Sequence, residues 1–250
     1  MILSESGTIS GFSNAFQLKF LTKIFENCAE NEIYELFMTS EPLISNFILS
    51  FVVYDSSNAQ ERIAFLSLLI NISSYVEIIP YLFKMNIEEF IYKTLSSSPF
   101  DHQLKLLDLI LNLFCHSSQT IKDLLPRLKS EMFSLVFMES NEEISKKALQ
   151  ALNVCFICGD EEICFELLTK ELFEKILKEM ESTDVDHAIL MLKGVEKILF
   201  YGQILVGCDE QNMFFEAFCE MKGEEILEKL TEHKSKTISF LALHIIDTYF

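Results

Sequence analysis

Hydrophobic residues recur every three or four positions along most of the chain, in segments of about 8 to 17 residues separated by short polar stretches. This spacing places the apolar side chains on one face of an α-helix. The closing segment has a wide apolar face of this kind, formed by Ile238, Ala242, Ile245, Ile246 and Tyr249. No strand–turn–strand pattern stands out, so the chain is predicted to be all-α.

The polar stretches between these segments carry residues that favour helix starts. Asn141 is followed by two glutamates, and Ser40 and Ser98 each come shortly before a proline. Small polar residues cap the first turn of a helix, and proline fits its first position. Helix boundaries are therefore predicted at 29–31, 39–41, 55–57, 96–99, 139–141, 159–160 and 182–184.

The longer predicted helices recur at a regular interval. They cover 18–28, 63–73, 104–114, 149–158, 190–200 and 238–250, and each is preceded by one or two shorter helices. Equivalent positions fall on Asn71, Asn112, Phe156 and Lys197, at intervals of 41, 44 and 41 residues. A period of about 42 residues with two or three helices is the size of an armadillo or HEAT unit. The alternative is an ordinary helical bundle with accidental spacing. In a repeat array, the preceding unit would cover the apolar face of the closing helix.

Composition narrows the classes of partner. With 38 acidic and 20 Lys or Arg residues, the formal net charge is −18, which opposes binding to nucleic acids and to anionic lipid surfaces. A basic protein is the expected partner, although acidity also serves solubility. Seven Gly and four Pro suit a helical protein, and there is no Trp.

Targeting and redox features indicate an intracellular protein. No apolar run reaches the roughly 18 to 20 residues that span a bilayer, and the first residues do not form a secretory signal. The seven Cys residues lie within apolar periodic segments, as free thiols do in a reducing compartment.

Several stretches resemble the importin-alpha family, the adaptors that carry basic nuclear-localisation cargo. The last repeat of that family reads L-x-x-H-x(4)-I-x(3)-A-x(2)-I-I-D-x-(Y/F)-F. This chain matches it at Leu230, His233, Ile238, Ala242, Ile245, Ile246, Asp247, Tyr249 and Phe250. The stretch ALNVCFICGD at 151–160 is similar to the family's A-W-A-L-G-N-I-A-G-D, LKGVEKIL at 192–199 to its preceding helix, and INISS at 70–74 to its T-N-I-A-S.

The resemblance implies a right-handed armadillo-repeat superhelical solenoid of about six repeats. A leader at 1–11 would precede one domain over 12–250. The repeats would cover approximately 12–38, 41–74, 75–117, 118–159, 160–203 and 209–250. Residues 12–160 look like the family's first four repeats and 185–250 like its last two, as though about four middle repeats were absent.

The resemblance also implies a cargo groove on the long helices. In the family, a Trp and an Asn four residues later bind the side chains and the backbone of an extended basic peptide, respectively. Asn71 and Asn112 match the Asn positions of two repeats, and Ser67 and Asp108 stand at the corresponding Trp positions. These four are the candidate peptide-binding residues, with Asp108 expected to pair with a cargo lysine. In the next two repeats the same positions fall on Leu152 and Phe156 and on Lys193 and Lys197, so the Trp/Asn ladder is degenerate.

Partners and localisation follow from the same resemblance. The expected partners are basic nuclear-localisation peptides and a transport receptor or exporter at the C-terminal repeats, with residence in cytoplasm and nucleus. The first thirty residues contain only Lys19 and Lys23 as basic residues, so either the family's basic importin-beta-binding arm lies outside this sequence or importin-beta is not a partner. An alternative is a short armadillo co-chaperone similar to the exchange factors of the seventy-kilodalton heat-shock chaperone, or another protein-interaction scaffold.

No constellation of residues indicates an enzyme, a cofactor or a metal. The pair Cys155 and Cys158, followed by Cys164, lacks the second closely spaced pair that a structural zinc site needs. Cys115 and His116 are adjacent and point about 100° apart on a helix, so they do not form a nucleophile–base pair. His233 is expected to have a local structural role.

Overall fold

The computed structural model describes residues 14–28, 30–53, 59–95, 97–206 and 213–250. Within these ranges the regular elements are helices, as predicted, and the predicted leader at 1–11 lies outside them. A short 3-10 turn at Val76–Ile78 precedes the fourth α-helix. The α-helices are α1 (Asn14–Asn27), α2 (Glu30–Val53), α3 (Ala59–Ile72), α4 (Ile79–Lys84), α5 (Ile87–Leu95), α6 (Phe100–Phe114), α7 (Ser118–Val136), α8 (Glu142–Cys158), α9 (Glu161–Leu167), α10 (Lys170–Glu179), α11 (Val185–Val206), α12 (Met213–Glu220), α13 (Gly223–Thr231) and α14 (Lys236–Tyr249).

Three predicted helix starts are confirmed by capping hydrogen bonds. The side chain of Asn141 accepts the backbone N–H of Ile144 at 3.2 Å at the start of α8. Asp160 caps α9 in the same way at 3.2 Å, and Asp184 caps α11 at 3.2 Å. Each cap satisfies a backbone donor that has no partner within its own helix.

The predicted boundary at 39–41 is wrong, because α2 continues through it. Pro42 lies inside the helix. The apolar stripe does not break there: Phe37 and Ile44 are completely buried, and Ser40 is buried between them. The continuous buried face stabilises α2 as one uninterrupted helix, whereas the polar residues at 39–41 had predicted a helix boundary.

The first compact unit comprises residues 1–116 and 124–147. In its described part, α3 packs against α1 on one side and α6 on the other, while α5 contacts α2, α4 and α6. The shared core is strongly apolar, with Phe65 and Phe90 in edge-to-face contact at 5.3 Å between ring centroids. The long helices α1, α3 and α6 are thus adjacent, as expected for consecutive repeats.

The second compact unit comprises residues 117–123 and 148–250. Here α11 is central and contacts α9, α10, α12 and α14, and α13 packs against α14. The helix α14 buries Ile238, Ala242 and Ile245 completely. Its apolar stripe is therefore covered by α11 and α13, which confirms the prediction that earlier helices cover it.

The last two aromatic residues complete this packing. Tyr249 donates a hydrogen bond to the Glu196 carbonyl at 3.2 Å, and burial raises the pKa of its phenol to about 12. The Phe250 ring lies 4.9 Å from that of Phe215 and 6.0 Å from that of Phe218. Tyr249 is therefore partly buried, and Phe250, although 47% exposed, packs on aromatic rings of the same unit.

In the part of the chain that the structure describes, no individual helix has the length and apolar character needed to cross a membrane. Ala59–Ile72 and Val76–Lys84 meet the length and composition test only as a pair, bent by 113°.

Candidate functional site

The four candidate peptide-binding residues lie on two neighbouring helices of the first unit. Ser67 and Asn71 are on α3, and Asp108 and Asn112 are on α6. All four are partly exposed. Each directly precedes a completely buried residue, at 68, 72, 109 and 113. The predicted register is therefore the same on both helices, with the candidates at the edge of the core.

Ser67 and Asn71 differ in how their polar groups are used. The Ser67 hydroxyl donates to the Ile63 carbonyl within α3 at 2.9 Å. The Asn71 Nδ2 atom is enclosed and has no hydrogen-bond partner at acceptable geometry. The pKa of Glu26 on α1 is lowered, mainly by Lys23 and in smaller part by the Asn71 amide. We interpret the Asn71–Glu26 contact as electrostatic, because no acceptor meets Nδ2 directly.

Asn112 connects α6 to the end of α3. Its Nδ2 donates to the Ile70 carbonyl at 3.1 Å and lies 3.3 Å from the Ser73 hydroxyl. One turn later, His116 Nε2 donates to the Ser73 carbonyl at 2.6 Å. Backbone carbonyls in the last turn of a helix have no acceptor role within that helix, so these side chains satisfy them. Asn112 thereby contacts the residue that directly precedes Asn71.

Asp108 already binds a lysine of the same unit. Its Oδ1 lies 2.7 Å from Lys147 Nζ at the start of α8, and the two side chains are 40% and 31% exposed. The carboxylate therefore lies at the surface and accepts an ammonium group. Such exposed pairs contribute about 0 to 1 kcal/mol.

The equivalent positions assigned to α8 are wrong in register. Leu152 and Phe156 are both completely buried. The buried set of α6 (106, 107, 109, 110, 113 and 114) recurs 42 residues later on α8 (148, 149, 151, 152, 155 and 156). Asn112 thus corresponds to Val154, and Asp108 to Gln150. The intervals between the equivalent positions 71, 112, 154 and 197 are then 41, 42 and 43 residues, whereas the predicted intervals were 41, 44 and 41.

A buried asparagine on α8 was missed in the sequence. Asn153 is completely buried, and its Nδ2 donates to the Leu190 carbonyl of α11 at 2.6 Å. A Cβ atom on Gly194 would lie 1.9 Å from Asn153 Oδ1. Only glycine leaves room for this carboxamide, so Asn153 and Gly194 together set the close approach of the two helices.

The other groups noted in the sequence have structural roles. His233 accepts the Ser235 N–H at 3.0 Å between α13 and α14, which confirms its local role. Cys164 is buried, and burial raises the pKa of its thiol to about 12, so it stays protonated at neutral pH. Among the described residues, no cluster of three or more His, Cys, Asp or Glu side chains is placed to hold a metal ion.

A small apolar cavity of about 190 Å³ lies in the second unit, between α10 and α12. It is lined mainly by Leu168, Phe173, Phe214, Ala217 and Met221. Sites for drug-sized ligands usually span about 300 to 1,000 Å³. The cavity is too small for such a ligand.

Comparison with known proteins identifies the fold. No protein-family model matches the chain, and no curated protein matches it. A designed armadillo repeat protein is similar over 98% of both chains, with a TM-score of 0.78 and 16% identity. A computationally designed armadillo repeat protein for modular peptide recognition also covers 98% of both chains, with a TM-score of 0.77 and 16% identity. A third, in complex with the peptide (KR)4, covers 93% of this chain and 91% of its own, with a TM-score of 0.74 and 16% identity. The predicted all-α armadillo-repeat fold is confirmed.

Proposed function

We propose that this protein binds peptides and that the outward face of α1, α3 and α6 takes a basic, extended segment of a partner protein. Asp108 is the residue that binds a lysine of that segment, and Asn71 and Asn112 lie where the peptide backbone would run. The comparison with a designed armadillo protein in complex with (KR)4 supports this class of ligand.

The observation that carries the proposal is the ion pair between Asp108 and Lys147, at 2.7 Å. An internal lysine already occupies the place where the resemblance puts a ligand lysine. Because the exposed pair is worth only about 0 to 1 kcal/mol, a lysine of a bound peptide can displace Lys147 at little cost. Because Lys147 competes with the peptide lysine for Asp108, the internal pair lowers the affinity for the peptide slightly.

The absence of Trp side chains from the proposed groove lowers the expected affinity for a basic peptide. The chain has no Trp, and each cation–π contact contributes about 0.5 to 2 kcal/mol. Losing two or three of them costs about 1 to 6 kcal/mol. We therefore expect weak binding, with a dissociation constant in the micromolar range or above.

A titration with a labelled (KR)4 peptide at low salt, followed by fluorescence anisotropy, tests the proposal. Lys147→Ala frees Asp108 and should strengthen binding by up to about fivefold, whereas Asp108→Ala should weaken it by a similar factor. The matched control is Lys93→Ala, because Lys93 pairs with Glu89 on α5 of the same unit at 3.2 Å. If Lys93→Ala and Lys147→Ala change the affinity equally, only the net charge matters and the Asp108 site is wrong.

The wider role that we propose is that of a nuclear transport adaptor resembling importin-alpha, moving between cytoplasm and nucleus. Its support is the C-terminal sequence resemblance, in which His233 and the residues of α14 fit the family's last repeat. Affinity capture from a cell extract tests this role. Recovery of a transport receptor or exporter supports it. Nucleotide-sensitive recovery of a heat-shock chaperone instead contradicts it and favours the co-chaperone function.

A further inference from the structure

The outward side of α11 and α14 in the second unit carries a set of basic and aromatic side chains, here called the Lys–Phe face. On α11 its residues are three or four positions apart, and on α14 they are four apart, so each set lies on one side of its helix. Its members are Lys193, Lys197, Phe200, Lys236, Phe240 and His244.

Direct contacts join the two helices of this face. His244 Nε2 on α14 lies 3.4 Å from Glu196 Oε1 on α11. The Phe240 ring stacks on the His244 ring, 6.4 Å between centroids and 4° between planes. On α11, Lys197 Nζ lies 5.1 Å from the centre of the Phe200 ring. The face is one continuous surface.

The aromatic residues of this face are unusually exposed. Phe240 is 69% exposed, the highest value among the large hydrophobic residues described, and Phe200 is 41% exposed. Leu243 and Ile204 extend the apolar area, at 45% and 53% exposure. Contiguous exposed apolar side chains often mark an interaction site.

The lysines of this face have no acidic partner within the described residues. Lys193, Lys197 and Lys236 take part in no ion pair there. The nearby Glu196 is 29% exposed and its carboxylate is held by His244. In a chain with 38 acidic residues and 20 Lys or Arg, three unpaired lysines beside exposed aromatics form a locally basic surface.

We propose that the Lys–Phe face docks an acidic peptide segment of a partner protein, with an apolar side chain of that segment on Phe240. Carboxylates of the segment pair with Lys193 and Lys197, and the apolar residue removes the Phe240 ring from water. Charge complementarity selects this ligand, because a basic peptide would be repelled by the lysines and Lys197 already covers the Phe200 ring. The face belongs to the second unit, whereas Asp108 belongs to the first, and its ligand has the opposite charge.

A nucleic acid is the other anionic candidate and is less favoured. Phosphate-backbone binding depends on many Lys and Arg contacts, whereas this face has three lysines in a chain of net charge −18. An acidic peptide needs fewer ionic contacts, since its apolar residue also contributes.

Fluorescence anisotropy tests the proposal on the full chain, with a labelled peptide of glutamates around a central phenylalanine, at about 0.1 M salt so that long-range repulsion is screened. Lys193→Glu/Lys197→Glu should weaken binding about tenfold or more, and Phe240→Ser about fivefold to tenfold. The matched control is Lys170→Glu/Lys178→Glu on α10, which makes the same change in net charge at exposed positions. It should alter the affinity less than twofold. Circular dichroism confirms that each variant is folded.

Equal effects of the two double variants would overturn the proposal, because net charge alone would then explain the binding. It would also be overturned if the peptide does not bind the wild type, or if a labelled single-stranded oligonucleotide binds the face and the peptide does not. The (KR)4 titration with Asp108→Ala reports on the other site, so failure of one proposal is distinguishable from failure of the other.

Discussion

Within each unit, an asparagine amide donates a hydrogen bond to a backbone carbonyl of a neighbouring long helix, but the burial of the two asparagines differs. In the first, Asn112 and His116 reach the carbonyls at the end of α3 and are both partly exposed. In the second, Asn153 reaches the Leu190 carbonyl in the middle of α11, is completely buried and lies against Gly194. The Asn112 and His116 contacts satisfy carbonyl groups at the end of α3. The Asn153 contact requires the backbone of α11 to approach α8 closely at Gly194.

This difference bears on how an asparagine in a repeat is interpreted. A carboxamide that binds a peptide backbone and one that binds a neighbouring helix both donate to a carbonyl. Asn112 stands at a predicted peptide-binding position, yet its amide already has an acceptor. The charge of Asp108 therefore gives a more specific indication of ligand than the asparagines do.

The buried contact of the second unit should be the more sensitive of the two. Gly194→Ala places a methyl group where Asn153 Oδ1 now lies, 1.9 Å from the new Cβ. Forcing an atom into a packed core of this kind should lower the free energy of unfolding by about 1 to 3 kcal/mol, measured by urea denaturation.

A double-mutant cycle shows whether the clash with Asn153 is the cause. Asn153→Ala removes the carboxamide, so adding Gly194→Ala in that background should cost at least about 1 kcal/mol less than in the wild type. Lys193→Ala, an exposed change on the same helix, should be nearly neutral. If the two core substitutions are simply additive, the proposed close approach does not explain the glycine.

The sequence predicted the repeat because buried residues follow the helical period in long helices such as α3 and α6. For α3 and α6 this also gave the right register, with Asn71 and Asn112 each directly before a buried residue. For α8 the register failed, because its apolar run from Ala151 to Cys155 contains buried residues all around the helix, including a polar one, Asn153. A helix buried on most sides has no single apolar stripe to count.

The partners of the candidate side chains could not be predicted. The Asp108–Lys147 pair joins residues 39 apart in sequence, and their distance depends on the tertiary structure of the first unit. Two features of the sequence are consistent with the Asn153–Gly194 contact. Asn153 is a polar residue among apolar neighbours, and Gly194 is a glycine inside a helix in a chain with only seven glycines. Helical glycine costs about 1 kcal/mol relative to alanine, so its presence indicates a packing requirement.

Within the first unit, the two candidate asparagines should differ in their effect on stability. Asn112→Ala removes the hydrogen bond from α6 to the Ile70 carbonyl, which the Ser73 and Ser74 hydroxyls also reach, and should cost about 0.5 to 1.5 kcal/mol in urea denaturation. Asn71→Ala removes an amide nitrogen that has no hydrogen-bond partner, so it should cost less than about 0.5 kcal/mol. Equal losses for the two variants would contradict the distinction between an asparagine that joins two helices and one whose amide nitrogen makes no hydrogen bond.

The smallest expected effect concerns the charged cap of α9 in the second unit. The pKa of Asp160 is lowered, chiefly by its hydrogen bond with Lys122 at 2.8 Å and also by the Ile163 N–H. A lowered pKa in the folded state means that the ionised carboxylate stabilises the fold above its unfolded pKa of about 3.9. This contribution, under about 1 kcal/mol for an exposed pair, is lost as the pH falls through the folded pKa. Asp160→Asn should therefore show a shallower fall of stability between about pH 5 and pH 3 than the wild type.

The uncharged cap at the start of α8, in the part of that helix that belongs to the first unit, provides the control. Asn141 accepts the Ile144 N–H at 3.2 Å and does not titrate. Asn141→Ala should lower stability by about 1 kcal/mol at every pH and leave the acid dependence unchanged. If Asp160→Asn behaves in the same way, shifting stability without changing its slope against pH, then the charge of Asp160 adds nothing to its role as a cap, and the two units cap these helices equivalently.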